Sequence, residues 1–251
     1  GASLLLIGAP GHGSAADDSD NVQSLAGKVY AFSVANSTAA NAVVVQPRFE
    51  GLAFAVGKEK AQLGSKIHVW DAASGGAARA PLVLLGSPSE RALSDAAAHD
   101  ALRHAAAPGF PKEPIPSHGW QTGEVRILDP QLWPTGNVSG PGNSGIEGLL
   151  DTIMGTQSPG HFGRALASSG AELWIGEPIS DSEDGRIYQW LSDAAEPACF
   201  FLRNAMGKAR LGHAIKSIRQ AGKEVLVVTA PHDSQFSRLS GSVLIMERSV
   251  K

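Results

Sequence analysis

The sequence holds one cysteine, Cys199, in 251 residues. A single thiol excludes an internal disulfide framework and any cysteine-rich zinc module. Charged residues are scarce at 18%, and the formal net charge is only −3. So small a charge, and of that sign, cannot hold a nucleic acid or an anionic membrane by bulk attraction. Long apolar runs are missing as well. The opening run, Leu4-Leu5-Leu6-Ile7, is too short for a signal-peptide core or a membrane span. What the chain has in excess is Gly (29) and Pro (15), together above the roughly 12% usual for these two residues. With 43% hydrophobic residues to build a core, that excess implies many turns and many short strands.

Self-similarity organises the rest. A run of Leu, Val or Ile ending in Gly-small-Pro recurs as Leu4-Leu-Leu-Ile-Gly-Ala-Pro10, Leu82-Val-Leu-Leu-Gly-Ser-Pro88 and Leu173-Trp-Ile-Gly-Glu-Pro178. A fourth copy, Val225-Leu-Val-Val-Thr-Ala-Pro231, puts Thr229 where the others have Gly. Each copy is followed by Gly-x-hydrophobic-x-hydrophobic, starting at Gly27, Gly123, Gly185 and Gly241. Three copies are preceded by an aromatic residue or Leu plus Gly: Leu63-Gly64, Phe162-Gly163 and Leu211-Gly212. Further apolar segments run on to Gly51, Gly155 and Gly207.

One cycle therefore reads as four strands. The first follows the Leu/Phe-Gly pair. The second is an unbroken apolar run, as expected of a strand buried on both faces, and its Pro ends the ladder. The third alternates and is expected to expose one face. The fourth closes the unit. Such units cannot bury both faces alone and must stack, which predicts an all-β fold: a partial β-propeller of four-stranded blades. The units run 1–51 (partial), 52–155, 156–207 and 208–251 (partial). The second carries one helical insertion, predicted between Ser94, a good N-cap, and the Pro108-Gly109 stop.

In this order the elements resemble the FG-GAP repeat of integrin α-chain propellers and of glycosylphosphatidylinositol-specific phospholipases D. The resemblance covers most of the chain outside the insertions and leans toward the phospholipase side. It implies a non-catalytic propeller segment of a secreted hydrolase that cleaves glycosylphosphatidylinositol anchors, with its catalytic part elsewhere. The alternative it implies is an adhesion or ligand-binding propeller of integrin type. The partners are then the rest of the propeller or an upstream catalytic domain, with a glycolipid or a protein as ligand. The family's calcium loops need several carboxylates on a Gly turn. Here loops 71–76, 168–172 and 219–224 hold at most one each, so no metal or other cofactor is expected.

No residue stands out as catalytic. His99 and His104 are five apart and fall on different helix faces, so they cannot share a zinc. His12, His118 and His232 read as solvated loop residues. Gly140-Pro-Gly-Asn-Ser-Gly145 matches a dinucleotide fingerprint in letters only, because no strand precedes it and no acid follows about 20 positions on. Ser144 has no nucleophile elbow around it. The acid clusters Asp17, Asp18, Asp20 and Asp181, Glu183, Asp184 read as turn residues. Cys199, Trp174 and Trp190 read as core. Two glycosylation sequons, Asn36-Ser-Thr38 and Asn137-Val-Ser139, are expected in loops and favour secretion.

Overall fold

The computed structural model describes residues 3–11, 27–37, 42–52, 62–71, 81–89, 122–132, 148–155, 159–191, 198–200, 208–220, 223–234, 237–238 and 240–249. The fold is all-β. The strands of these residues form four antiparallel sheets. Sheet 1 comprises β1 (Ser3–Ala9), β2 (Lys28–Ser37) and β3 (Ala42–Leu52). Sheet 2 comprises β4 (Lys66–Trp70), β5 (Leu82–Ser87), β6 (Glu124–Leu128) and β7 (Leu149–Met154). Sheet 3 comprises β8 (Ala165–Ser169), β9 (Glu172–Glu177), β10 (Arg186–Leu191) and β11 (Ala198–Phe200). Sheet 4 comprises β12 (Ile215–Gln220), β13 (Lys223–Ala230) and β14 (Ser242–Ser249). Each sheet is a meander in chain order. Among the described residues helix is confined to α1 (Ser180–Glu183) and a 3-10 turn at Pro130–Leu132. The helix expected after Ser94 lies outside the described residues.

The sheets stack face to face, and strand periodicity shows how. In β5, Val83 and Leu85 point into a core shared with Val29 and Ala31 of sheet 1. Leu82 and Leu84 point the other way, into a core shared with Leu173, Ile175 and Tyr188 of sheet 3. A third core joins Trp174 and Ile187 of sheet 3 to Leu226 and Val228 of sheet 4. Strands β5 and β9 are therefore buried along their whole length, as unbroken apolar runs require. In β13 only alternate residues are buried, because no sheet covers its outer face among the described residues.

Between sheets the backbones come very close. A Cβ placed on Gly8, Gly86 or Gly176 would lie 2.1, 2.3 or 2.1 Å from the carbonyl oxygen of Gly64, Gly163 or Gly212 respectively. The Gly of each Gly-small-Pro copy thus sits against the second residue of the next sheet's Leu/Phe-Gly pair. A parallel bridge accompanies each contact: Gly27 with Leu63, Gly123 with Phe162 and Gly185 with Leu211. At two of these bridges the Leu or Phe amide also donates across the gap, Phe162 N–H to Thr122 O at 2.9 Å and Leu211 N–H to Asp184 O at 2.9 Å. Leu63, Phe162 and Leu211 themselves fill the core between their own sheet and the preceding one.

Three expectations are corrected. β6 has no exposed face: all five residues are buried, because sheet 1 covers one side and sheet 3 the other. Its two charges, Glu124 and Arg126, remain buried because they pair with each other. Cys199 is exposed rather than core, since β11 is the outer strand of its sheet and none of its three residues is buried. Asn36 lies within strand β2, paired in register with Val43, rather than in a loop. Trp174 and Trp190 are buried as expected.

The glycine contacts make a direct prediction. Gly176→Ala should cost about 1–3 kcal/mol by overpacking against fixed backbone. At about 2–4 °C per kcal/mol in a chain of this size, thermal melts should register it. Gly11→Ala, with nothing within 4 Å of the added carbon, should leave Tm unchanged. Equal Tm values for the two variants would show that the sheets are not held at this contact.

Candidate functional site

The first strands of sheets 2, 3 and 4 lie in a row, with β8 against both β4 and β12. Their polar side chains meet across the seams. His68 of β4 is hydrogen-bonded through Nε2 to Ser168 Oγ of β8 at 2.7 Å. Trp70, one turn of the pleat further on, donates from Nε1 to Gly170 O at 2.8 Å. Gly170 and Ala171 form the two-residue turn between β8 and β9, with Gly170 at φ +56°. Burial pushes the His68 pKa down from 6.5, and the positive charges of Lys66 and Lys216 push it further the same way. The ring is therefore neutral near pH 7.

A neutral His bonded to a Ser hydroxyl has the geometry of a base beside a nucleophile. Activation also needs a third group to orient the ring, and among the described residues His68 makes only the bond to Ser168. The pair straps sheet 2 to sheet 3. Among the described residues no three His, Cys, Asp or Glu side chains come together to hold a metal.

A second polar cluster lies where sheet 3 leads into sheet 4. Arg210 donates from Nη2 and Nε to Glu183 Oε2 at 2.7 and 3.2 Å. The Lys208 amide donates to Asp184 Oδ1 at 2.7 Å, and the Arg210 amide to Glu183 O at 2.8 Å. The hydrogen bond from Arg210 is the main reason the Glu183 carboxyl is held below its ordinary range. The acids of this turn are thus used to seat the next sheet. Asp184 grips backbone, and Glu183 grips Arg210, which precedes Leu211-Gly212. Arg164 and Arg210 also face His161 and His213. Burial first, then those two cations, lower both imidazole pKa values, and His232 adds to the effect on His213.

Among the described residues the most deeply buried acid is Glu177, in the position that Ala or Ser occupies in the other Gly-small-Pro copies. Its Oε2 accepts from the Tyr188 hydroxyl at 2.8 Å. Burial, together with the neighbouring Glu177 charge, raises the Tyr188 pKa and keeps the phenol protonated. Phe162 packs edge-on against Tyr188, with ring centroids 5.4 Å apart.

Of the residues singled out in the sequence, His232 lies in the described turn after β13, where its amide donates to Ala209 O at 3.2 Å. His12, His99, His104, His118, Ser144, Asn137 and the Asp17–Asp20 cluster lie outside the described residues. Little in the sequence marks His68, because its partner is 100 residues away. The one local signal is the polar alternation Lys66, His68 after a Leu-Gly pair. No helix among the described residues is long and apolar enough to cross a membrane. No protein-family model matches the chain, and no curated protein matches it.

The histidines set a pH dependence. His68, His161 and His213 all have folded pKa values below 6.5. Below pH 6.5 the unfolded chain takes up protons that the folded chain refuses, so stability is full above 6.5 and falls as pH drops. Tm should decline between pH 7 and pH 5, and His68→Gln should flatten that decline. A slope identical to that of the unaltered protein would remove His68 from the account.

Proposed function

We propose that the chain is a non-catalytic scaffold, a β-propeller segment of the FG-GAP type. It serves a secreted hydrolase similar to the glycosylphosphatidylinositol-specific phospholipases D, positioning the catalytic part or holding its glycolipid substrate. The observation that carries the reading is the glycine-to-carbonyl contact repeated at three consecutive sheet interfaces. Such a contact at each of these interfaces sets successive sheets in one repeating relation, with β8 against both β4 and β12. The non-catalytic assignment is supported by the use of the polar side chains. His68, Ser168, Glu183, Asp184 and Arg210 are all engaged in joining sheets. Secretion rests on the sequon Asn137-Val-Ser139, since Asn36 lies within strand β2.

The purified chain should release no protein from vesicles carrying a glycosylphosphatidylinositol-anchored reporter. Release that disappears on Ser168→Ala would reverse the reading and make the strap a catalytic pair. Expressed in a eukaryotic secretory host, the chain should also shift in mobility on treatment with a peptide N-glycosidase. Replacement of Asn137 by Gln should abolish that shift. An unshifted secreted chain would remove the sequon argument.

A further inference from the structure

We propose that the row of first strands binds a phosphate ester group, held between Lys66 of β4 and Lys216 of β12 at the His68–Ser168 seam. The proposal goes beyond the hydrolase reading and does not rest on it.

Strand alternation puts Lys66, His68 and Trp70 on one side of β4, the side turned to sheet 3. Two of the three span the seam, His68 to Ser168 Oγ and Trp70 to Gly170 O. Lys66 stands beside them at the Gly86–Gly163 crossing, its Cβ 3.1 Å from where a Cβ on Gly86 would lie. Lys216 and Arg219 come from β12, on the other side of β8. His68 and Lys216 hold the same place in their sheets, paired with Leu84 and Val227, each two residues before the crossing positions Gly86 and Thr229. The Lys216 charge acts on His68 across β8. Arg219 Nη2 lies 3.4 Å from where a Cβ on Gly170 would stand.

Cations dominate this row. β8 adds no charge, since Ala165 and Ala167 stand where β4 has Lys66 and His68. Among the described residues Lys66, Lys216 and Arg219 have no carboxylate partner. The acids of the adjoining strands are engaged, Glu172 with Gln189 Nε2 at 3.1 Å and Glu224 with Ser217 Oγ at 3.0 Å. Asp71 follows β4 at the end beyond Trp70. A surface lined by one sign of charge concentrates the opposite ion.

The neutral groups sharpen the choice of anion. A neutral His68–Ser168 pair keeps one hydrogen to donate, on Ser168 Oγ or on His68 Nδ1 according to the tautomer, and a protonated pair keeps both. Two ammonium groups and these donors match a phosphate ester, which offers up to two charges on three acceptor oxygens. A carboxylate, with one charge, would leave one ammonium unanswered. Phosphate also offsets the two lysine charges that oppose protonation of His68, so binding and proton uptake favour each other.

The test is NMR titration of the His68 ring in the 251-residue chain, in phosphate and in chloride at matched ionic strength. Phosphate should raise the His68 midpoint. Lys66→Met and Lys216→Met should each weaken phosphate binding about tenfold, the worth of one charge-assisted hydrogen bond. Each should also raise the midpoint in chloride, because one of the charges that lower it is gone. A lysine that only supported the fold would not produce that pair of effects. If Met disturbs either strand, Gln at the same position serves as the second variant. Sedimentation with phosphatidylcholine vesicles containing phosphatidic acid separates the two sources of such a group. Pelleting that Lys66→Met abolishes assigns it to a lipid headgroup, and a phosphate effect without pelleting assigns it to soluble phosphate esters. Equal midpoints in phosphate and chloride overturn the proposal. So does a phosphate effect that survives both lysine replacements.

Discussion

Two peptide backbones can touch edge to face only where no Cβ stands between them. That constraint governs this protein at each junction between sheets. The Gly-small-Pro glycine of one sheet receives the carbonyl of the Leu/Phe-Gly glycine of the next, and the Leu or Phe beside it drops into the core between them. Backbone and side chain of one dipeptide thus do two jobs at once. The glycine sets how close the sheets come, and the large residue fills the wedge that this closeness leaves. Position −1 of the pair carries positive φ in all three copies, at Gln62, His161 and Arg210, so the chain turns sharply into each junction. None of these is Gly, so each stores strain that the packed junction must offset.

Once sheets are held this closely, their polar groups have few places to go. Glu177 is enclosed and takes the Tyr188 hydroxyl. Glu124 and Arg126 are enclosed and take each other. His68 reaches Ser168 across a seam, and Glu183 and Asp184 reach forward to the segment that opens sheet 4. These are contacts of assembly. They are the physical content of the scaffold role proposed above.

Most of this architecture could be read from the letters because the repeat is local. Unbroken apolar runs ending in Gly-x-Pro read as strands buried on both faces, and β5 and β9 are buried throughout. The order of strands within each sheet followed from the same spacing. What could not be read depends on neighbours across the stack. The alternation Glu124-Val-Arg-Ile in β6 has the pattern of a half-exposed strand, and only the presence of sheet 1 on its polar side makes Glu124 and Arg126 a buried pair. Cys199 sits in an apolar run yet is exposed, because β11 is an outer strand and an outer strand has no further neighbour. The His68–Ser168 bond joins residues 100 apart, and no local pattern encodes such a distance.

The same reasoning separates the two ends of the stack from its middle. An internal sheet must satisfy two neighbours, and its sequence shows this by being apolar on both faces and Gly at the crossing point. Sheet 4 keeps the first property and lacks the second. Val225 and Val227 of β13 stand on its outer face with Val243 and Ile245 of β14, yet Thr229 occupies the crossing point. A sheet meant only for solvent has no need of that apolar face, since antiparallel sheets open to water on one side carry polar residues there. At the crossing point Thr229 places a Cβ where Gly8, Gly86 and Gly176 have none, and its Oγ1 accepts from the Ala214 amide at 3.0 Å.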